Sequence, residues 1–553
     1  MFNDFTGNTR ITRRALLRGA LLGGGAALLG TWSKPELSFA TDSVSPVAET
    51  VFGKVRGVAI QGVRMYRGIP YGGPTEDAGR FMPPSKPEKW AGVFDATHNG
   101  PRSPQGGGTS SIFTDARIGA YFSGGRSDAA ALAAQTESEN CLVLNVLSPG
   151  HRGRLPVMVY IHGGGFTQGS CVLTAFSDRF VREQNIVLVG INHRLGVLGY
   201  TYLGAISDKY ADSGNVGQLD LISALEWVRD NIANFGGDPQ NVTIFGESGG
   251  GAKISTLLAM PTAKGLFKRA IIESGSMLRV SDKEFAAKIG KTFLDNCGLS
   301  NTQVDELQKF PVEKLMAASP AHGPGGMIRV GPVLDGRSIP QQTWDPAAPE
   351  ISADVAMIIG NCKDEATLFT LSSPDQTVYN LDEAGLHDHV VKAGIPDPDA
   401  SQIIALYHRD HPSETPSDIY FRMASDRGAR RNAVTQAERM LAQGKANVYM
   451  YHFEWNTPLV DGKLRAFHTA ELPLAMRLVE FPQSEELSKQ VAGAWASFAR
   501  DGNPYHPGLT KWPAYSTTER ATMLFNAPLS EAVNDPDREE RLALLKYPSG
   551  NLL

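Results

Sequence analysis

Val242-Thr243-Ile244-Phe245-Gly246-Glu247-Ser248-Gly249-Gly250-Gly251 is the stretch that decides the fold. Its first four residues are β-branched or aromatic, as a short buried strand requires. Glycines then flank a single serine, and a small-residue helix is predicted to begin just after Ser248. A serine between glycines at a strand-to-helix turn is a nucleophile elbow. The turn is so tight that its neighbours must lack Cβ atoms, and it projects the hydroxyl into a cleft. The Gly-x-Ser-x-Gly pattern is weak by itself, and the strand before it and helix after it make it specific. The N-terminus of that helix also favours an oxyanion forming beside the serine.

Upstream, residues 157–161 (Val-Met-Val-Tyr-Ile) read as a buried strand that runs into His162-Gly163-Gly164-Gly165-Phe166. Glycines there let main-chain N–H groups approach a carbonyl oxygen that becomes negative during acyl transfer. Further strands are expected at 186–191, 355–360 and 448–453, and a helix over 219–235 that stops at Gly236-Gly237-Asp238-Pro239. Apolar runs alternating with helical patterns predict an α/β fold, with a mostly parallel twisted central sheet flanked by helices. Residues 375–445 read as a helical cap or side region, and about 104–140, rich in Gly, Ser and Ala, as a surface flap. No internal repeat interrupts the chain, so residues 41–553 are expected to form a single domain.

Composition narrows the function. The chain has 553 residues, 42% of them apolar and 20% charged, and a formal net charge of −5. There is no basic block, which argues against nucleic acid or an anionic membrane as the main partner. Thr12-Arg13-Arg14-Ala15-Leu16-Leu17-Arg18 precedes an apolar stretch from Gly19 to Gly30, and Ser38-Phe39-Ala40 offers small residues for cleavage. Residues 1–40 therefore read as a cleaved twin-arginine export signal, and the mature protein is expected in the periplasm or outside the cell. The apolar stretch is too short to span a bilayer. Cys141, Cys171, Cys297 and Cys362 have no metal-ligand spacing, and their pairing cannot be chosen from sequence.

A serine hydroxyl is a poor nucleophile without a base, and the base needs an orienting acid. In this fold class the chain order is serine, acid, histidine. The strand at 355–360 leads into Asn361-Cys362-Lys363-Asp364-Glu365-Ala366, where composition does not choose between the two acids, and His468 lies in Ala466-Phe467-His468-Thr469-Ala470-Glu471. Glu247 is open to two readings, tuning the field at the site or serving as a buried hydrogen-bonding partner. His387-Asp388-His389, His408 and His411 invite a metal reading, but the chemistry already has a metal-free account, and no metal or cofactor is expected.

The chain resembles the type B carboxylesterase and cholinesterase family over nearly its whole length after the leader. The resemblance is carried by Arg67-Gly68-Ile69-Pro70-Tyr71, Glu139-Asn140-Cys141-Leu142, Asn192-His193-Arg194-Leu195-Gly196, Asn234-Phe235-Gly236-Gly237-Asp238-Pro239, Gly246-Glu247-Ser248-Gly249-Gly250 and Pro332-Val333-Leu334-Asp335-Gly336. It implies the α/β-hydrolase fold and hydrolysis of small carboxylic esters. It assigns the nucleophile to Ser248, the acid to Glu365, the base to His468 and the oxyanion donors to the N–H groups of Gly164, Gly165 and Gly249. Three positions depart from the family pattern. Gly249 stands where the family usually has Ala, which suggests a less rigid hole. Ser103 replaces the Cys that usually pairs with the one matching Cys141. Residues 104–140 hold no Trp of the kind that binds choline. Amide hydrolysis with the same triad, or a non-catalytic binding module, are the alternatives.

Overall fold

The structure is a computed structural model and describes residues 45–105, 115–150, 153–320, 330–371, 373 and 375–550. The predicted leader at 1–40 lies outside the described residues. Among the described residues fourteen strands run in chain order: β1 (Val47–Thr50), β2 (Gly53–Arg56), β3 (Val58–Ile60), β4 (Val63–Pro70), β5 (Val93–Asp95), β6 (Val143–Ser148), β7 (Leu155–Ile161), β8 (Val187–Ile191), β9 (Gly237–Glu247), β10 (Arg269–Glu273), β11 (Ala356–Cys362), β12 (Val448–Phe453), β13 (Ala521–Phe525) and β14 (Glu531–Asn534). β1, β2 and β5 form a 3-stranded sheet, and the rest form an 11-stranded sheet in the order β14-β13-β12-β11-β10-β9-β7-β8-β6-β4-β3. From β13 to β8 every neighbouring pair is parallel, and the two flanks are antiparallel.

The parallel strands are buried along their length because both faces are covered. Alternation sends Val157, Val159 and Ile161 to one apolar layer, with Leu221, Leu225 and Val228 of helix Val216–Asn231. Met158 and Tyr160 point to the opposite layer, shared with Val491, Trp495 and Phe498 of helix Glu485–Asp501. The helix expected over 219–235 ends at Asn231 and continues as a 3₁₀ turn to Phe235, where Gly236, with φ +88°, stops it. β9 starts earlier than 242 and absorbs Pro239, with a register shift opposite Leu155 and Val157.

The stretch expected to be a flap differs. Residues 106–114 lie outside the described residues, but beyond them stand helices Ala116–Ser123 and Ala129–Ala133. The Asp115 carboxylate caps the first by accepting from Arg117 N, and Gly124 closes it in the left-handed region. Ile118 and Tyr121 are buried, and the Tyr121 hydroxyl donates to Ala470 O at 2.6 Å. Residues 375–445 contain helices Glu383–Lys392, Asp399–Asp410, Pro416–Ser425 and Arg431–Leu441, joined through a π turn at Asp426–Arg430. They enclose an apolar cluster of their own around Leu386, Tyr407 and Phe421.

Candidate active site

β9 ends at Glu247, and Ser248 turns the chain with φ +56° and ψ −122° into helix Gly249–Leu257. A non-glycine residue holds such an angle only where its surroundings over-determine it. Here a Cβ on Gly246 or Gly250 would come within 2.4 or 2.1 Å of the Ile161 carbonyl oxygen, so the residues two before and two after Ser248 must be glycine. Ser248 N donates to Glu273 O at 2.8 Å, tying the elbow to the end of β10.

Loops after two later strands bring the expected partners. The loop after β11 supplies Glu365, and His468 follows β12. His468 Nε2 lies 2.7 Å from Ser248 Oγ, and its Nδ1 is hydrogen-bonded to Glu365 Oε2. Glu365 Oε1 accepts from Ser274 Oγ at 2.7 Å and from Cys362 N at 2.8 Å, so the carboxylate is fixed at both oxygens. Asp364, left open beside it in sequence, turns away and accepts from Ala466 N at 3.2 Å. Gly164 and Gly165 have φ of +83° and +60°. Their run passes against the elbow: a Cβ on Gly163 would lie 3.5 Å from Ser248 Cβ, and one on Gly249 only 2.4 Å from Gly165 N. The Gly249 departure is thus close packing, not looseness.

Glu247 Oε1 faces His468 Nε2 at 3.2 Å without a hydrogen bond. Burial pushes its carboxyl upward, and His468 pulls the other way. Burial works against the charged form of His468, but Glu247 and Glu365 more than offset it and hold the imidazole up at about 9.

Several residues that sequence reasoning passed over complete the surroundings. Glu471 is buried and accepts from Tyr451 OH at 2.8 Å and Cys362 Sγ at 2.9 Å. Glu273 accepts from Trp495 Nε1 at 3.2 Å. The Phe369 ring, half exposed, stands 4.9 Å from the His468 ring. The available signal for Glu471 was a lone acid in the apolar run after His468; Phe369 had none. The four cysteines are thiols, and burial pushes Cys141 up to about 12. Ser103, in place of the family cysteine, accepts from Leu195 N at 3.2 Å. Of the histidines weighed for metal, His387 and His408 sit on Asp397 and Glu383, and His411 faces Asp537 and Glu540 at 3.7 and 3.6 Å.

A parallel sheet of this order, with a serine elbow at its middle, a histidine from a later loop reaching that serine and a carboxylate from another reaching the histidine, defines an α/β-hydrolase fold protein. Residues 44–544 match the carboxylesterase family, and the chain belongs to it. It is 34% identical over 528 residues to a para-nitrobenzyl esterase of Bacillus subtilis (strain 168), covering 91% of this chain and 99% of that one. A solved carboxylesterase of Geobacillus stearothermophilus superposes with a TM-score of 0.74 at 34% identity, covering 90% of this chain and 99% of the other. An esterase from Clostridium hathewayi, described as hydrolysing aliphatic aromatic polyesters, gives 0.74 at 29% identity, with 92% and 99% covered. The protein is a serine carboxylic-ester hydrolase, and its substrate is a small-molecule ester.

Proposed function

We propose that the ester is cleaved through an acyl-enzyme on Ser248, with His468 as base and Glu365 as orienting acid. The observation that carries this reading is the unbroken chain of contacts, Ser248 Oγ to His468 Nε2 at 2.7 Å and His468 Nδ1 to Glu365. His468 takes the serine proton as Oγ attacks the ester carbonyl. The N–H groups of Gly164, Gly165 and Gly249 receive the developing oxyanion, with negative charge placed at the N-terminus of helix Gly249–Leu257. His468 then gives its proton to the departing alcohol. Water, deprotonated by His468, attacks the acyl-enzyme, and the acid leaves with Ser248 restored. Glu365 fixes the imidazole tautomer and favours its charged form.

Ser248→Ala is expected to abolish turnover of a p-nitrophenyl ester while leaving the fold intact, since only a partly buried hydroxyl and its contact to His468 are removed. Glu365→Gln should lower kcat by about 10⁴-fold because the tautomer is lost. Asp364→Asn, whose side chain does not touch His468, should cost far less. The reverse ranking of the two acid variants would overturn the assignment. Export by the twin-arginine route, to the periplasm or the medium, completes the reading and rests on Arg13, Arg14 and the apolar stretch after them.

A further inference from the structure

Lys253 has no access to solvent. It lies on helix Gly249–Leu257, whose first residue is Gly249. A buried ammonium is costly unless something holds it. Among the described residues its Nζ makes one hydrogen bond, to the carbonyl oxygen of His162 at 2.9 Å, and stands 5.7 Å from the centre of the Phe166 ring. No described carboxylate lies within ion-pair distance, and burial lowers the ammonium to about 7.

These two contacts bracket the glycine run. His162 directly precedes Gly163, and Phe166 directly follows Gly165. Between them the backbone has no side chain to anchor it, and the Cβ position of Gly165 faces open space. Glycine carries the greatest backbone freedom of any residue, so the run depends on contacts from outside it: Thr167 N and Gln168 N donate to Gly164 O at 3.3 and 3.1 Å, and Lys253 holds the residues at the two ends. We propose that Lys253 is a positioning residue for ester hydrolysis: its cationic side chain clamps both ends of residues 163–165 onto the nucleophile helix and so sets the oxyanion donors. The proposal rests on the reading of Gly164, Gly165 and Gly249 as those donors.

Burial, not a neighbouring charge, brings the Lys253 titration near neutral and makes the clamp sensitive to pH. From the end of β7 comes His162, and after β8 comes His193, stacked on it at 4.8 Å. Burial, then the Lys253 charge, keeps both imidazoles neutral, His162 at about 3. Arg194 is paired with Asp220. Helix Val216–Asn231 presents the neutral Gln218 amide, which donates to Lys253 O at 3.4 Å, and Glu247 lies beyond Gly163. The Lys253 charge is present below about pH 7 and lost as pH rises through it. The neutral amine keeps its hydrogen bond to His162 but loses its attraction to the Phe166 ring.

The test compares wild type with Lys253→Met, which cannot donate, Lys253→Gln, a neutral donor, and Phe166→Leu, which removes one arm of the clamp with little risk to folding. A fluorophosphonate counts competent Ser248, mapped by peptide mass, so rates refer to labelled sites. Absence of label on Ser248 in wild type would overturn the nucleophile reading instead. Per labelled site, Lys253→Met is expected to lose about tenfold to a hundredfold in kcat with KM nearly unchanged. Affinity for a trifluoromethyl ketone, which forms an oxyanion on the serine, should fall by the same factor. Lys253→Gln and Phe166→Leu should lose less. The wild-type advantage over each variant should be larger at about pH 6 than at about pH 8.5. Wild-type kcat and ketone affinity in Phe166→Leu and in either folded Lys253 variant, or an advantage that does not change with pH, would overturn the clamp.

Discussion

Gly249 leaves no room for the methyl group that the family usually carries. A Cβ there would stand 2.3 Å from the Gly165 carbonyl oxygen and 2.5 Å from its Cα. Gly249→Ala must therefore push the glycine run off the elbow, and kcat on a short p-nitrophenyl ester is expected to fall about tenfold or more. An unchanged kcat would mean the run can shift without cost. At His468 the sign of the pH dependence follows from its neighbours. Only neutral imidazole can accept the serine proton, and Glu247 and Glu365 hold His468 up at about 9. Activity should rise with pH through that range, and Glu247→Gln, which removes one of the two charges, should move the rise to lower pH. A pH profile of kcat/KM reads this, and a limb that moves upward would contradict it. Glu365 and Asp364 show where residue-level reading stops: they are adjacent, and only the way the loop after β11 turns separates the carboxylate that meets His468 from the one that meets Ala466 N.

Short elements after the main strands shape the cleft. Helix Ala366–Leu371 follows Glu365 directly and presents Phe369, 51% exposed, beside the His468 ring. Standing beside the imidazole and exposed, the Phe369 ring is placed to limit the space an ester's alcohol can take. Phe369→Ala is expected to raise the turnover of tert-butyl acetate relative to n-butyl acetate, with Ser248→Ala as blank; a falling ratio would show that the ring supports rather than obstructs the alcohol. The sequence does not single Phe369 out, because a phenylalanine in a short apolar helix has the same pattern as a core residue. Helix Ala116–Ser123 was hidden in the same way. The Gly, Ser and Ala around its cap residues Asp115 and Gly124 read as loop, and it is the burial of Ile118, the packing of Tyr121 on Phe467 and Phe481 and its hydrogen bond to Ala470 O that fix the segment.

At the scale of the whole molecule, the buried parallel strands were the most legible part, because continuous apolar runs broken by glycine turns have few other solutions. Edge strands were not: β3 and β14 are short and partly exposed, and each pairs only with the strand next to it in the chain, so no long apolar run marks it. The leader is a sequence feature alone, and its test is made on the cell. Replacing Arg13 and Arg14 by lysine is expected to leave precursor inside, whereas unaltered wild-type secretion should give a mature N-terminus near Thr41 by Edman sequencing. Normal export of the double-lysine chain would remove the twin-arginine route.

Helix Glu485–Asp501, which packs beneath the parallel strands, also fixes when this enzyme can first exist. Trp495 reaches Glu273 across 222 residues, His468 reaches Ser248 across 220, and Tyr121 reaches the loop after His468 across 349. Contacts this far apart in the chain close slowly and late. A nascent chain released anywhere short of that helix would carry the serine on its turn but neither the floor beneath it nor, before His468, the base beside it. Recovery of hydrolysis during refolding is therefore a clock for completion of the entire topology, not for formation of the elbow.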